Sequence, residues 1–468
     1  MNIYQKGVVF HAHFYQPSRE NPFINRIEAE NDAEPFENWT ERIFFDCYKP
    51  NIDLGNFRFF SFNIGPTLTM WLRRNYPEYL LKVIEQEKIS SELFGTSNAI
   101  AQPYHHTILP LDNKIDKETQ IKWGIEDYRS IFNHDPEGMW LPETAVDIET
   151  LEILASEGIK YTILAPWQAE CENLDTTEPY FIELKTGRRM TVYFFDQFIS
   201  NQVSFNPNIT EDGDRFVNDV LMDRYFEFDP KPDHDQIILI ASDGELYGHH
   251  QKFRDKFISY VFSRIDKDPE LNNENLGSWI KRHPSKKEVH IKKNTSWSCH
   301  HGIERWRSVC DCTPSAQWKF PLRKGLQSIA NKIDDIYVKH VSIIVDAPWR
   351  LRNQYIQSLI GNETFQDLIS NLSSREFSKS EEKMISNLLE AQYSRLRMFT
   401  SCGWFFDDLS RPEPYYNLMH AAFAVQKINQ ATSIDLTQFA FEVLNSAKMK
   451  KGKKTGGTIF RDIYDNYR

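Results

Sequence analysis

Two acidic residues in this 468-residue chain stand where apolar runs end, and as a pair they could break a glycosidic bond. Glu143 comes directly after Pro142 in Gly138-Met139-Trp140-Leu141-Pro142-Glu143-Thr144, and Asp243 follows Ile237-Ile238-Leu239-Ile240-Ala241-Ser242. Cleavage with retention needs two carboxyl groups about 5–5.5 Å apart, one as nucleophile and one as acid/base. The acid must keep its proton until it donates, so its surroundings have to raise its pKa. Glu143 reads as the nucleophile, with Asp243 as the carboxyl that a separate strand brings to face it. Glu245 falls on the side of Asp243 if the strand direction persists, where it would tune Asp243 by like-charge repulsion or bind a sugar hydroxyl. The plainer alternative for Glu143 is a surface glutamate near a helix N-terminus.

The elements around these residues decide whether they can meet. Gly138 and Pro142 punctuate the backbone, and Pro142 biases Leu141 toward an extended conformation. A helix is predicted over 147–157, with Ile148, Leu151 and Leu154 on one face and a stop at Gly158. Glu143 therefore lies between a strand end and a helix start, the rim where α/β barrels keep their chemistry. The first strand, 7–14, carries His11 and His13 on one face by period two and ends at Pro17. Two such histidines could bind a metal, donate to ligand hydroxyls, or be structural. Further strands are expected at 57–63, 161–165, 191–195 (ending at Asp196) and 236–241. A helix over 214–226 would bury Phe216, Val217, Val220, Leu221 and Tyr225. Residues 20–50 read as a loop covering the site, and 92–110 as a rim loop.

Strands alternating with helical segments over about 260 residues argue for a parallel α/β, barrel-like domain. Residues 262–295 are charged and loop-like. Beyond them Leu322, Leu326, Ile329, Ile333 and Ile336, then Ile385, Leu388, Leu389, Leu396 and Phe399, repeat at helical spacing. The expected organisation is thus a barrel over 1–262, a connecting Cys/His/Trp segment over 263–312, and a helical domain over 313–468 packed on the barrel.

Composition narrows the partners. Aromatics make up 14% of the chain, a load that suits stacking on flat ligand faces such as sugars. A net charge of −11 argues against nucleic acid and anionic membranes. The one basic run, 448–454, is diluted by Gly452 and reads as a solvated tail. No apolar run reaches the length of a membrane span, and no signal segment precedes the first strand, so a cytoplasmic protein with six reduced cysteines is expected.

With these residues in order, the chain resembles glycoside hydrolase family 57 over about residues 7–250. His11-Ala12-His13-Phe14-Tyr15-Gln16-Pro17 is similar to that family's first motif, whose histidines line the sugar site, and the stretch 98–110, with His106 before Ile-Leu-Pro, to its second. Trp140-Leu141-Pro142-Glu143 is similar to the third, which implies Glu143 as nucleophile. Asp243-Gly244-Glu245 followed by Gly248-His249 is similar to the fourth, which implies Asp243 as general acid/base. The resemblance implies an incomplete seven-stranded (β/α) barrel, α-1,4-glucan or a maltooligosaccharide as substrate, and no cofactor. Hydrolysis and glycosyl transfer remain open, because both share a covalent intermediate and differ in whether water or a sugar hydroxyl arrives first. The segment 294–312 and Thr400 to Asp408 resemble the companion domain of one uncharacterised branch of the family. The second motif departs from the pattern by its double His105-His106 and by lacking the Gly-Gly segment of branching enzymes.

Cys299, Cys310 and Cys312, with His300 or His301 and with Cys402 as a further candidate, could form a zinc site. Cys-x-Cys is tighter than the usual structural-zinc spacing, so the favoured expectation is no metal: reduced cysteines packing a demanding loop, with Trp297, Trp306 and Arg305 lining a glucan subsite. Two other functions fit parts of this pattern. A metal-dependent polysaccharide deacetylase would use His11, His13 and Asp196 or Asp243 as ligands, but the usual Asp-Asp pair on the first strand is missing. A non-catalytic glucan-binding protein would not need both carboxylates.

Overall fold

The inner faces of the parallel strands grade from apolar to polar along their length, and this gradient creates the site. The computed structural model describes residues 4–228, 233–373 and 375–468. Its strands are β1 (Lys6–Phe14), β2 (Glu20–Asn21), β3 (Arg26–Ile27), β4 (Ser61–Ile64), β5 (Tyr161–Leu164), β6 (Tyr180–Glu183), β7 (Arg189–Phe194), β8 (Gln236–Asp243), β9 (Leu271–Asn273) and β10 (Lys287–Glu288). The chain forms two compact units. Unit 1 comprises residues up to Gln16, Ala29–Gln102 and Ile131–Trp297; unit 2 comprises Pro17–Glu28, Pro103–Ser130 and Ser298–Arg468. The chain is an α/β protein with a mainly helical region.

In unit 1, β1 is buried along almost its whole length and pairs in parallel with β8, with β4 and, at its start, with β9. Burial on both faces explains its near-continuous apolar run. Short extended bridges carry the pairing onward: Phe62 with Ala99, Ala101 with Met139, and Gly138 with Tyr161 at the start of β5. Next come β5 with β7 in parallel, then β6 antiparallel to β7, with β10 on the outer edge of β6. The Asp196 N–H, just past β7, donates to the Leu239 carbonyl of β8 at 2.7 Å. Val9, Ile163, Tyr193, Ile237 and Leu239 pack with Trp140 and Trp279 into one buried core. One and two steps further along the same faces stand His11 and His13 on β1, and Asp243 on β8. The strand starts thus make the hydrophobic core and the strand ends present the polar groups.

Several local expectations are corrected. Residues 56–58 form a helical turn, so the strand expected over 57–63 begins only at Ser61. The helix Pro77–Phe94 extends into the expected rim loop. Residues 39–53 are helical throughout, including a wide turn at Phe44–Tyr48, rather than a loop: Phe44, Cys47, Tyr48 and Ile52 supply a buried face that the polar residues between them obscure. Residues 262–295, expected to be loop-like, contain the end of helix Arg254–Asp266, β9, helix Leu276–Arg282 and β10. Charged positions there hid the buried Phe262, Ile265, Leu271 and Trp279.

Unit 2 is built on the helices Lys319–Val341, Lys379–Arg397, Pro412–Ala431 and Gly456–Asn466. Leu322, Leu326, Ile329, Ile333 and Ile336 are all buried, as their spacing predicts. Its centre also holds Arg352 and Arg395, paired with Asp116 and, for Arg395, with Asp334 at 2.6 Å. Buried guanidinium groups need such partners. Among the described residues no helix is long and apolar enough to cross a membrane.

Two glycines in the candidate motifs allow close packing. A Cβ on Gly138 would strike the Tyr161 ring, and one on Gly244 would strike Phe14, itself enclosed by Tyr48, Phe57 and Phe60. Gly244→Ala is expected to cost about 1–3 kcal/mol by overpacking, read as a lower urea midpoint; an unchanged midpoint would show that the Phe14 ring swings aside.

Candidate functional site

Register brings the polar strand ends together. His13 pairs with Asn63 on β4 and with Asp243 on β8, so three polar side chains share one level across three adjacent strands. His11 pairs with Ser61 and Ala241 one level below. The His11 Nδ1 lies 3.0 Å from the Ser61 hydroxyl and the His13 Nδ1 lies 3.2 Å from the Asn63 carbonyl oxygen. Asn63 in turn donates to Gln102. Burial drives both imidazoles down, His11 to about 3 and His13 to about 4, so they are neutral at any ordinary pH. The His11 Nε2 is buried without a hydrogen-bond partner.

Both imidazoles stack on the indole of Trp140, at 4.7 Å and 5.2 Å between ring centres. Trp140 is fully buried and meets Trp297 edge to face at 5.0 Å. Three residues after Trp140 comes Glu143, in a single tight turn over Pro142–Thr144 where Glu143 (φ 57°) and Thr144 (φ 49°) are both left-handed. For residues other than glycine this costs about 1–2 kcal/mol each. Gln168 holds the turn in place. Its amide oxygen accepts from the Thr144 hydroxyl (2.9 Å) and the Ala165 N–H (2.8 Å), and its NH2 donates to the Thr144 carbonyl (2.8 Å). The Trp297 backbone N–H donates to the Glu143 carbonyl and its indole N–H to the Glu143 carboxylate, both at 3.0 Å. The helix expected nearby starts only at Ile148, capped by Asp147, so Glu143 belongs to the turn and not to a helix N-terminus.

Asp243 ends β8. Asp243 is exposed at the strand end, yet protein atoms surround it densely. That crowding, the charge of Glu245 and the charge of Glu143 push it up to about 8. Glu143 and Asp243 therefore stand in one electrostatic neighbourhood. Glu245 is itself buried and pushed up to about 7 by desolvation, against the opposing effect of its donors: the Tyr48 hydroxyl, the Tyr15 N–H (3.1 Å) and the Gln16 amide (3.5 Å). Its carboxylate is thus engaged by protein and acts on Asp243 through its charge.

Other expected residues fall elsewhere. The His249 Nδ1 pairs with Asp46 at 3.1 Å and its ring sits edge-on to Trp39. His106, left-handed at φ 55°, belongs to unit 2, where its Nδ1 meets the Ser401 hydroxyl at 2.7 Å. Trp306 also belongs to unit 2 and is fully buried, so its ring offers no open face for a sugar. Asp196 caps the helix Gln197–Phe205 and pairs with Arg224 at 2.7 Å. Among the described residues, two groups of His, Cys and carboxylate side chains converge closely enough to hold an ion, and His11 and His13 belong to neither. Tyr48, Gln168 and Ser61 went unnoticed in the sequence because each acts by holding another residue.

The fold and the polar strand ends define a class: an α/β protein whose polar site lies at the C-terminal ends of parallel strands. Within it, the chain belongs to glycosyl hydrolase family 57, whose model matches residues 9–292, more than half of the chain. Residues 315–466 match a domain of unknown function (DUF3536). The chain is similar to an alpha-amylase of Pyrococcus horikoshii, 24% identical over 274 residues, covering 56% of this chain but only 38% of that protein. Its fold is similar to that of an exo-type maltose-forming amylase from Pyrococcus sp. ST04, with a TM-score of 0.71 at 16% identity, covering 94% of this chain and 82% of that one. It is also similar to a 4-alpha-glucanotransferase from Thermococcus litoralis, with a TM-score of 0.58 at 15% identity, covering 90% and 60%.

The raised Asp243 carboxyl has a consequence for stability. Between pH about 4 and 8 the folded state keeps a proton there that the unfolded chain has lost, so stability falls as pH rises through that window. Asp243→Asn has no such proton to lose. Its melting temperature relative to the parent should rise from pH 5 to pH 8.5; a difference that does not change with pH would contradict the raised carboxyl.

Proposed function

We propose that this chain is a retaining enzyme of α-glucans, hydrolysing them or transferring the glycosyl unit, with Glu143 as nucleophile and Asp243 as general acid/base. The observation that carries the reading is geometric: Asp243 ends β8 level with His13, close enough to Glu143 for the charge of one to act on the other, while the Trp297 indole holds the Glu143 carboxylate. Asp243 would protonate the glycosidic oxygen while the Glu143 carboxylate attacks the anomeric carbon, giving a glycosyl ester on Glu143. The Trp297 indole N–H fixes that carboxylate in place. Once the ester forms, Glu143 carries no charge, and one of the groups holding the Asp243 pKa up is removed. Asp243, now ionised, is then suited to take a proton from water or a sugar hydroxyl and complete the second step. His11 and His13, neutral near the strand ends, suit hydroxyl recognition.

Support for the substrate class comes from the family and from the activities named for the similar proteins, an alpha-amylase, a maltose-forming amylase and a 4-alpha-glucanotransferase. For the fold we further propose an incomplete seven-stranded barrel, in the order β8, β1, β4, 99–101, 138–140, β5, β7. The Asp196-to-Leu239 hydrogen bond supports closure between its two ends.

Glu143→Ala and Asp243→Asn should each lower turnover of maltoheptaose by about 10³-fold or more; unchanged turnover would refute the assignment. Products both shorter and longer than maltoheptaose would indicate transfer, and shorter ones alone hydrolysis. The alkaline limb of kcat/KM should lie near pH 8. Glu245→Gln should move that limb to lower pH by removing a like charge, whereas a limb that stays in place would exclude Glu245 from tuning Asp243.

A further inference from the structure

A second chemical cluster lies within unit 2. Cys299, His301, Cys310 and Cys312 bring one ligand atom each within 4.8 Å of one another. The Cys299 sulfur is 3.9 Å from that of Cys310 and 4.0 Å from that of Cys312, and the Cys312 sulfur is 3.5 Å from the His301 Nδ1. A tetrahedral zinc, with Zn–S near 2.3 Å and Zn–N near 2.0–2.1 Å, spaces its ligands about 3.8 Å apart from sulfur to sulfur and about 3.6 Å from sulfur to nitrogen. All three spacings fall within a few tenths of an ångström of those values. A disulfide would instead join two sulfurs at about 2.05 Å and leave the other two groups unused.

The surroundings fit as well. His301 turns its Nδ1 into the cluster, and its Nε2 faces the exposed Asp311 carboxylate at 3.7 Å, beyond hydrogen-bond distance. Backbone N–H groups of His301 and Arg305 point at the Cys299 sulfur. Lys319 is fully buried, and its ammonium donates to two neutral oxygens, the Arg305 carbonyl (2.9 Å) and the Thr313 hydroxyl (3.0 Å). Thr313 in turn lies 3.8 Å from the Cys310 sulfur. A buried cation calls for a nearby anion. Three thiolates and a neutral imidazole around a divalent ion carry one net negative charge, which adds to that of the nearby Asp407.

The fold also answers the difficulty raised by the sequence spacing. The two close pairs, Cys299-x-His301 and Cys310-x-Cys312, are two arms of one loop. The chain returns between them through Gly302 (φ 76°) and the short helix Glu304–Arg307. His300 and Cys402, candidates on sequence, are not part of the converging set.

We propose that Cys299, His301, Cys310 and Cys312 hold one structural Zn2+ that fixes this loop. Soft thiolate ligands in a tetrahedral set select zinc among common divalent ions, and four protein ligands leave no open position for catalysis. Binding releases the thiol protons.

The full-length protein, purified without chelator, should contain one zinc per chain by elemental analysis. Exchange with Co2+ should give thiolate charge-transfer bands and the intense visible bands of tetrahedral cobalt. Chelation should lower the melting temperature, and Zn2+ alone should restore it. Cys312→Ser should lose the metal; because it could also unfold the loop, His301→Ala, at a partly exposed position, is the second variant. It should stay folded yet bind zinc more than about 10-fold more weakly in competition with a chromogenic chelator. Absence of stoichiometric metal together with absence of cobalt bands would overturn the proposal. So would a disulfide from Cys299 to Cys310 or Cys312 in the protein as isolated, or unchanged zinc affinity in His301→Ala.

Discussion

The position of β1 between β4 and β8 is the constraint on which unit 1 depends. Side chains alternate between the two faces of a strand, so a slip of one residue would turn His11 and His13 outward and drive Val8 and Phe10 inward. The observed register sets His13 level with Asn63 and Asp243. It also stacks the apolar starts of the strands into the core that includes Val9, Ile237 and Leu239. Core and polar site are therefore the two ends of one arrangement. Hydrophobic burial of the strand starts fixes where the strand ends can point.

The site crowds acidic groups together and raises the pKa of both Asp243 and Glu245. Glu245 accepts from Tyr48, Tyr15 and Gln16, which offsets part of the rise that its burial imposes, while Asp243 is pushed up by the protein packed around it and by its acidic neighbours. Glu143 sits in a left-handed turn that no helix or strand would impose, and Gln168 and Trp297 compensate that strain with hydrogen bonds. Strain and like-charge proximity both oppose folding locally, and large buried cores tolerate them. Neutral imidazoles close to Asp243 add hydrogen-bonding capacity without a compensating positive charge.

Unit 2 deals with buried polarity by other means. Its helices enclose Arg352 and Arg395 with Asp116 and Asp334, an ionic network that is stable only when every member is paired. The proposed metal site would serve the same end for Lys319 and for three thiols in a loop with little regular structure.

Much of this organisation could be read from the residues. The strand over β1, the buried run of β8, the helix beginning near Ile148 and the helical stripe through Leu322 and Ile333 follow from periodicity, because each buries a face whose pattern is local. The helices around Tyr48 and Trp279 were missed because their buried faces are interrupted by charged and polar positions, and only neighbours distant in sequence make those faces apolar surroundings. The sequence by itself determined the residue types available for chemistry: two carboxylates after apolar runs, a pair of same-face histidines, and three cysteines with a histidine nearby. Tertiary structure decided which of them meet. It set Asp243 within the field of Glu143 and Glu245, paired His249 with Asp46, buried Trp306, and chose His301 over His300 to face the sulfurs. The reason is physical: residue identity and local propensity act over a few positions, whereas proximity, burial and charge coupling depend on distances that only the folded backbone sets.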